Sequence, residues 1–589
     1  MGCIKQIITS LTIGLLSISM FTACTSDKKK FENSISIAYG SDVKALDPVF
    51  AEDYYASQVS SQIFETLYEY HYLKRPLVVQ PLLAESMPKI SEDGLTYTIK
   101  LKKGIFFQDN EAFKEGKGRE LTAEDFIYSW KRLLDPANKS QGTWVFDGKV
   151  KGVSDWREKM RKGLADYDTP IEGLQATDKN TIQIKLEKPY HQLIYVLAMT
   201  YTAPTAKEVV DKYGEEIINH PVGTGPFILK DWIKSNKIVL VKNPNFRDMT
   251  YPTEKDEEDP ESMLKDAGKK IPFVDKLVFN IITEDQTRWL NFMKGNLDIL
   301  SIPKDNFDSS IANDQIVTDL ADKGLELHVN TEPDLTYIAM NMKDPILGKN
   351  KKLRQAITLA YNTDAALKKF YNDRGIVAQS IIPPTIDGYD PSFKNPYKDF
   401  DVEKAKKLMV EAGYPNGKGL PEFEFATTSS STAVQMAEFF KDQMSQIGIN
   451  IKIVPNSWPQ FTQKIHDAKA QIWGIAWVSD YPDAENFLQL LYGENVSPGP
   501  NGSNFVNAEY DKLYKQALLL PSGEKRTKLY HKMRDIASEE LPMIPMIHRQ
   551  GYYLTHGWIE NFKRHITISD NFKYIRVNMD KKKKLKPEL

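Results

Sequence analysis

Cysteine is nearly absent: the 589 residues contain two, Cys3 and Cys24. That excludes a disulfide scaffold and argues against a thiolate metal cluster. An excess of one charge is missing as well. Lys plus Arg is 77 and Asp plus Glu is 79, a formal net charge of −2, so no bulk attraction draws the chain to nucleic acid. Beyond the N-terminus no segment reaches about 18 uncharged apolar residues, so none reads as a membrane span. Catalytic signatures are missing too. There is no GxxxxGK[ST], since Gly417-Lys418 has the wrong spacing, and no HExxH, GxSxG or CxxC. The nine histidines are scattered. His548 and His556 stand among strand formers and read as packing or surface residues, not ligands. None of the many carboxylate pairs acquires a glycosidase role from sequence. The chain is therefore not expected to be an enzyme, and no cofactor or metal is expected.

What is present is a folding composition: 41% hydrophobic and 11% aromatic, too apolar for a mainly disordered chain. The length allows several domains with ample core. At the N-terminus, Lys5 precedes an apolar run, residues 7–21, with Leu11, Ile13, Leu15, Leu16 and Ile18. It is shorter than the roughly 20 residues that span a bilayer, and reads as a signal peptide. It ends in Phe21-Thr22-Ala23-Cys24, which resembles the lipobox of bacterial lipoproteins, with Phe21 where leucine is usual. The resemblance implies removal of residues 1–23, a lipid on Cys24, and a mature chain tethered outside the cytoplasm, at an outer surface or in a periplasm. The alternative is an ordinary secretory signal with an incidental cysteine.

The body alternates strand and helix signals. Leu95, Tyr97, Ile99 and Leu101 alternate with polar residues, as do Ile182, Ile184 and Leu186, and Ile449, Ile451 and Ile453. Each is a strand with one buried face. Residues 238–241 are continuously apolar and fit a central strand. Thr122 and Asp125 form a capping pair ahead of Phe126, Trp130 and Leu133. Asp401 caps a helix carrying Ala405, Leu408 and Met409, which Gly413 and Pro415 stop. Another amphipathic helix covers 353–361. The mixture predicts an α/β protein with mixed sheets. Residues 250–270, acidic and Pro-containing, are expected to be an exposed loop, and the lysines at 581–584 a solvated end.

Several stretches occur in a telling order. They include Gly40-Ser41-Asp42, Ser61-Gln62-Ile63-Phe64-Glu65-Thr66-Leu67-Tyr68, Pro81-Leu82-Leu83-Ala84-Glu85-Ser86 and Leu121-Thr122-Ala123-Glu124-Asp125-Phe126. Gly223-Thr224-Gly225-Pro226-Phe227 and Asn243-Pro244-Asn245-Phe246 follow, then Ile382-Pro383-Pro384 and Trp477-Val478-Ser479-Asp480-Tyr481-Pro482. Together, over residues 35–578, they resemble the oligopeptide- and dipeptide-binding proteins of bacterial ABC importers, solute-binding protein family 5. One departure is Arg247, where that family often has an aromatic.

The resemblance implies a two-lobed periplasmic-binding-protein type II fold with an extra domain. Domain I would comprise 24–64, 206–327 and 546–589, domain II 65–205 and domain III 328–545. An oligopeptide would be captured between lobes that close by hinge bending. It would pass to a membrane permease driven by a separate ATPase, which fits the missing nucleotide motif. The protein would act as a monomer with no nucleic-acid partner.

The resemblance also assigns a site. Asp480 would hold the peptide α-ammonium by charge-assisted hydrogen bonds; the local pattern alone equally allows it to start a turn before Pro482. Trp477 and its neighbours, including Tyr481, would offer strand-like backbone pairing, with Glu52, Asp53 and Tyr54 opposite. Trp458 would line a pocket, or else pack in the core. Tyr337 and Asn341 would approach the cleft. Between Trp458 and Asp480 there is no arginine, where tripeptide-to-pentapeptide binders place theirs for the peptide carboxylate, so that group would be met elsewhere or the peptide would be longer. Two alternatives stand: a binder of a non-peptide solute, such as an oligosaccharide or metal chelate, and a surface peptide receptor that does not import.

Overall fold

The computed structural model describes residues 32–51, 53–75, 77–565 and 572–588. The signal run, Cys24 and Glu52 lie outside them. Residues 33–589 cluster as one unit, and the expected α/β mixture is what forms.

Three sheets carry the architecture. In the first, Ser34–Tyr39 lies parallel to Lys276–Ile281, which continues antiparallel to Lys237–Lys242 and Phe227–Ile233. The run at 238–241 is thus a central strand, and Ile238 and Leu240 are fully buried. The second sheet has eight strands and is organised by one long strand, Met543–His556. It pairs with Ile299–Ser301, Leu325–Thr331, Asp334–Met340 and Gly375–Val377. Asp334–Met340 then pairs with Ile472–Val478, which runs parallel to Phe423–Thr428, and that strand to Ile451–Asn456. The third sheet orders Lys89–Ile90, Thr96–Lys100, Thr181–Lys185 and Leu174–Asp178.

The alternating strands fold as their pattern demands. Tyr97, Ile99 and Leu101 turn inward with Ile182, Ile184 and Leu186, and Phe126, Trp130 and Leu133 of the helix Ala123–Leu134 pack on them. The Asp125 carboxylate accepts from the Thr122 backbone N–H at 2.8 Å, satisfying one free donor of that helix start. Asp401 accepts from the Lys404 N–H at 2.8 Å and starts Val402–Glu411 in the same way.

The Gly223-Thr224-Gly225 stretch has a positional reason. A side chain at Gly223 would meet the Ile63 carbonyl oxygen at 2.1 Å. The Gly225 N–H donates to that same oxygen at 2.8 Å. The two glycines therefore let a loop close against the end of the helix Tyr54–Ile63, whose start bears on the site below.

The segment 250–270 is the mostly exposed loop expected, but it and two other charged features are held more tightly than composition alone suggests. The acidic segment 250–270 is closed at its base by pairing of Thr250 with Lys270. Tyr251 and Met263 are buried with Tyr72 and Tyr574. Asp266, also buried, accepts from Arg576 at 2.6 Å and from Asn561 at 2.8 Å. Aromatic and paired residues anchor a stretch whose composition reads as loop. At the tail, Lys582 is buried and reaches Asp298 at 3.2 Å, although its neighbours Lys581, Lys583 and Lys584 are exposed. Arg247 forms a bidentate pair with buried Glu65, at 2.5 and 2.8 Å. His548 and His556 are buried, each ring facing a backbone carbonyl, of Asp334 and Phe292. Among the described residues no group of His, Cys, Asp or Glu is arranged to hold a metal.

Candidate ligand-binding site

The strand Ile472–Val478 is paired along its whole length on one side, from Ile472 with Met340 to Val478 with Asp334. On its other side pairing with Phe423–Thr428 covers only Ile472 and Trp473. From Gly474 onward that edge meets no strand among the described residues. A free strand edge is a template for an extended peptide, because its backbone donors and acceptors are unspent. Ala476, Trp477 and Val478 of this edge line a cavity of about 290 Å³. Asp480, two residues past the strand, lines it too, facing Ala51, Asp53, Tyr54, Ser57 and Tyr70.

Asn486, fully buried, holds this corner. Its Oδ1 accepts from Trp477 Nε1 at 2.9 Å and from the Asp480 N–H at 3.1 Å, and its Nδ2 donates to Asp480 Oδ2 at 3.0 Å. Asp480 is half-buried, and no cation among the described residues pairs with it. Its carboxyl is pushed up to about 6 by loss of solvent, against the single amide bond that favours the charged form. Such a group is a carboxylate short of a positive partner.

The same aspartate opens on a second cavity of about 800 Å³, walled by Trp144, Lys149, Tyr190, Trp477, Tyr481 and Tyr514 among others. Tyr481 is buried; its ring stacks on Tyr195 with centroids 6.0 Å apart, and Tyr195 stacks on Tyr70 at 6.5 Å. The Tyr481 hydroxyl donates to Glu485 at 2.5 Å, and Tyr514 donates to the other oxygen of Glu485.

Asp53, Tyr54, Trp477, Asp480 and Tyr481 thus come together from segments far apart in sequence. Asp53 also caps the helix Tyr54–Ile63, accepting from the Ala56 N–H at 2.9 Å. Tyr54 is 41% exposed and its hydroxyl accepts from Arg564 at 2.8 Å. Three residues are placed elsewhere. Trp458 is 59% exposed at the start of the helix Trp458–His466, against Phe461 and outside both cavities. Tyr337 is buried in the core with Leu335 and Ala339. Asn341 is spent on the fold, donating to the Ala468 and Ala470 carbonyls at 2.9 and 3.0 Å. Glu52 lies outside the described residues.

Sequence reasoning passed over Tyr70, Lys149, Tyr190 and Asn486. None belongs to a motif. Only Asn486, six residues after Asp480 and beside a helix start, carried a local signal. A third cavity of about 920 Å³ lies at Arg75, Asp259 and Lys563, where Lys563 pairs with Asp259 at 2.5 Å and Arg75 donates to the Tyr72, Lys74 and Arg564 carbonyls.

Comparison with known proteins shows the family and the fold. The family described as bacterial extracellular solute-binding proteins, family 5, matches residues 78–499. The heme-binding protein A of Haemophilus influenzae is 29% identical over 509 residues, 84% of this chain and 83% of that protein. The dipeptide-binding protein of Escherichia coli is 28% identical over 479 residues, 80% and 81% of the two chains. An ABC-transporter-associated periplasmic binding protein of Helicobacter pylori, solved with the peptide STSA, superposes with a TM-score of 0.71 at 25% identity, covering 93% of this chain and 98% of its own.

Proposed function

This chain belongs to family 5 of the bacterial extracellular solute-binding proteins, and from that premise we propose that it captures oligopeptides between lobes and hands them to an ABC permease. It is a binding protein with the type II periplasmic fold, not an enzyme. The observation that carries the peptide reading is the free edge of Ile472–Val478, leading directly into the half-buried Asp480. An extended peptide added to that edge pairs through its backbone whatever its side chains, and its single α-ammonium meets Asp480. Trp477, Tyr481, Asp53 and Tyr54 flank it. Domains with the boundaries given above would close around the ligand, and small-angle scattering should report a smaller particle with peptide. The test of the site is calorimetric titration with a free peptide and its N-acetylated form. The free form should bind far more tightly, and equal affinity would remove Asp480 from the site.

Anchoring rests on the signal run and Cys24. Cys24→Ser should release the protein from membranes or leave it unprocessed, as fractionation and intact mass would show. A second reading, a metal chelate as solute, draws on the relative named for heme binding. Spectral titration with hemin separates the two, since a chelate needs no ammonium partner at Asp480.

A further inference from the structure

Lys149 sits in the wall of the 800 Å³ cavity that Asp480 also lines. Its ammonium donates to the Trp144 carbonyl at 2.7 Å and lies 4.9 Å from the Trp144 ring and 4.7 Å from the Tyr190 ring. No carboxylate among the described residues forms an ion pair with it. The nearest in effect, Glu485, is capped by the Tyr481 and Tyr514 hydroxyls. Burial holds Lys149 down to about 8, partly offset by Glu485. A cation resting on rings and one carbonyl is incompletely compensated.

A second, independent observation lies beside it. The Tyr190 hydroxyl is buried and has no hydrogen-bond partner among the described residues, in a residue only 8% exposed. Buried hydroxyls are normally paired. Tyr190 lies against Lys149 and lines the same cavity as Asp480 and Glu485.

The geometry points to a second subsite in this cavity, where Lys149 and Tyr190 receive an anionic group carried by the ligand's first residue beside the ammonium held at Asp480. This rests on the peptide reading above. The ligand class is a peptide whose first residue bears both an ammonium and a carboxylate. Two sources fit: an aspartyl or glutamyl residue with its side-chain carboxylate, or a γ-linked glutamyl residue with its α-carboxylate. Aromatic rings wall the cavity, so water is largely displaced when the anion enters, and the charge-assisted bonds strengthen accordingly.

The experiment is calorimetric titration of the full mature chain with glutamyl-, γ-glutamyl- and glutaminyl-dialanine. Glutaminyl-dialanine has the shape without the charge. Wild type should bind one or both acidic peptides about ten- to a hundredfold more tightly than the neutral one, and the comparison of the two acidic peptides identifies the source. In Lys149→Met that ratio should collapse toward one. Tyr190→Phe should lower it severalfold, and it decides the matter should Lys149→Met fail to fold by circular dichroism. A ratio of one in wild type, or a ratio unmoved by both variants, overturns the subsite while leaving peptide binding intact. No binding of any of the three overturns the peptide reading and the subsite together.

Discussion

Two buried carboxylates in this protein face opposite circumstances. Glu69 would be raised by burial, but Lys573 at 2.7 Å and Gln80 at 3.0 Å, with the charges of Lys573 and Arg247, bring it below its ordinary value. Glu65 beside it holds Arg247, and Asp266 holds Arg576. In this region, where the tail packs on residues 65–75, each of these charges has its opposite. Asp480 is raised by burial and is offset only by Asn486. Around it, among the described residues, Lys149 forms no ion pair and the hydroxyls of Tyr70 and Tyr190 have no hydrogen-bond partner. Closed pairs hold a structure together. Groups left open in a cavity are what a ligand would complete.

The comparison can be broken at its ends. Lys573→Met strands Glu69 in the interior, which typically costs about 3–5 kcal/mol, and chemical denaturation should show it as lost stability. Asp480→Asn should cost a similar amount on the other readout. It leaves the ligand's ammonium unpaired, so peptide affinity should fall by roughly two to three and a half decades, while denaturation shows no loss of stability. If Asp480→Asn instead destabilises the free protein and spares affinity, the aspartate belongs with the paired region.

The effect of pH should be smaller and of opposite sign for stability and binding. Asp480 titrates at about 6 in the free folded protein, above the ordinary 3.8. Its protonated form is favoured by folding, so this contribution to stability is full below about 3.8 and is lost as pH rises through 6. Binding an ammonium needs the ionised form. Peptide affinity should therefore drop as pH falls below 6, by up to about tenfold per unit, and Asp480→Asn should flatten the profile. Glu69, lowered in the fold, contributes stability above its unfolded value and loses it as pH falls. The smallest effect is expected at Asp53. Asp53→Ala removes the cap of the helix Tyr54–Ile63 and should cost about 1 kcal/mol of stability.

Much of this was legible along the chain. Period-two alternation placed the strands at 96–100 and 181–185, because a sheet with one buried face imposes that pattern locally. Thr122 with Asp125, and Asp401, announced helix starts because a cap is a contact between near neighbours. The order of the motifs, and Asp480 within one of them, pointed to the family. At 250–270 composition read the exposed loop but not what anchors it, because Tyr72, Tyr574 and Arg576 lie far away along the chain.

The sequence by itself determined the class of the protein and several of its strands and helix starts, and singled out Asp480 through a motif. Those depend on contacts within a few residues, or on motifs whose order survives in one dimension. Only the tertiary structure decided which buried charges are spent and which are open. Lys149 and Lys573 look alike in sequence, yet one meets Glu69 and the other meets two rings and a cavity. Trp458 and Trp477 look alike too, yet one faces solvent and the other the strand edge beside Asp480. The physical reason is that the state of a buried charge depends on what lies within a few ångströms, and the carboxylates that answer Lys573 and reach Lys149, Glu69 and Glu485, come from segments far away along the chain.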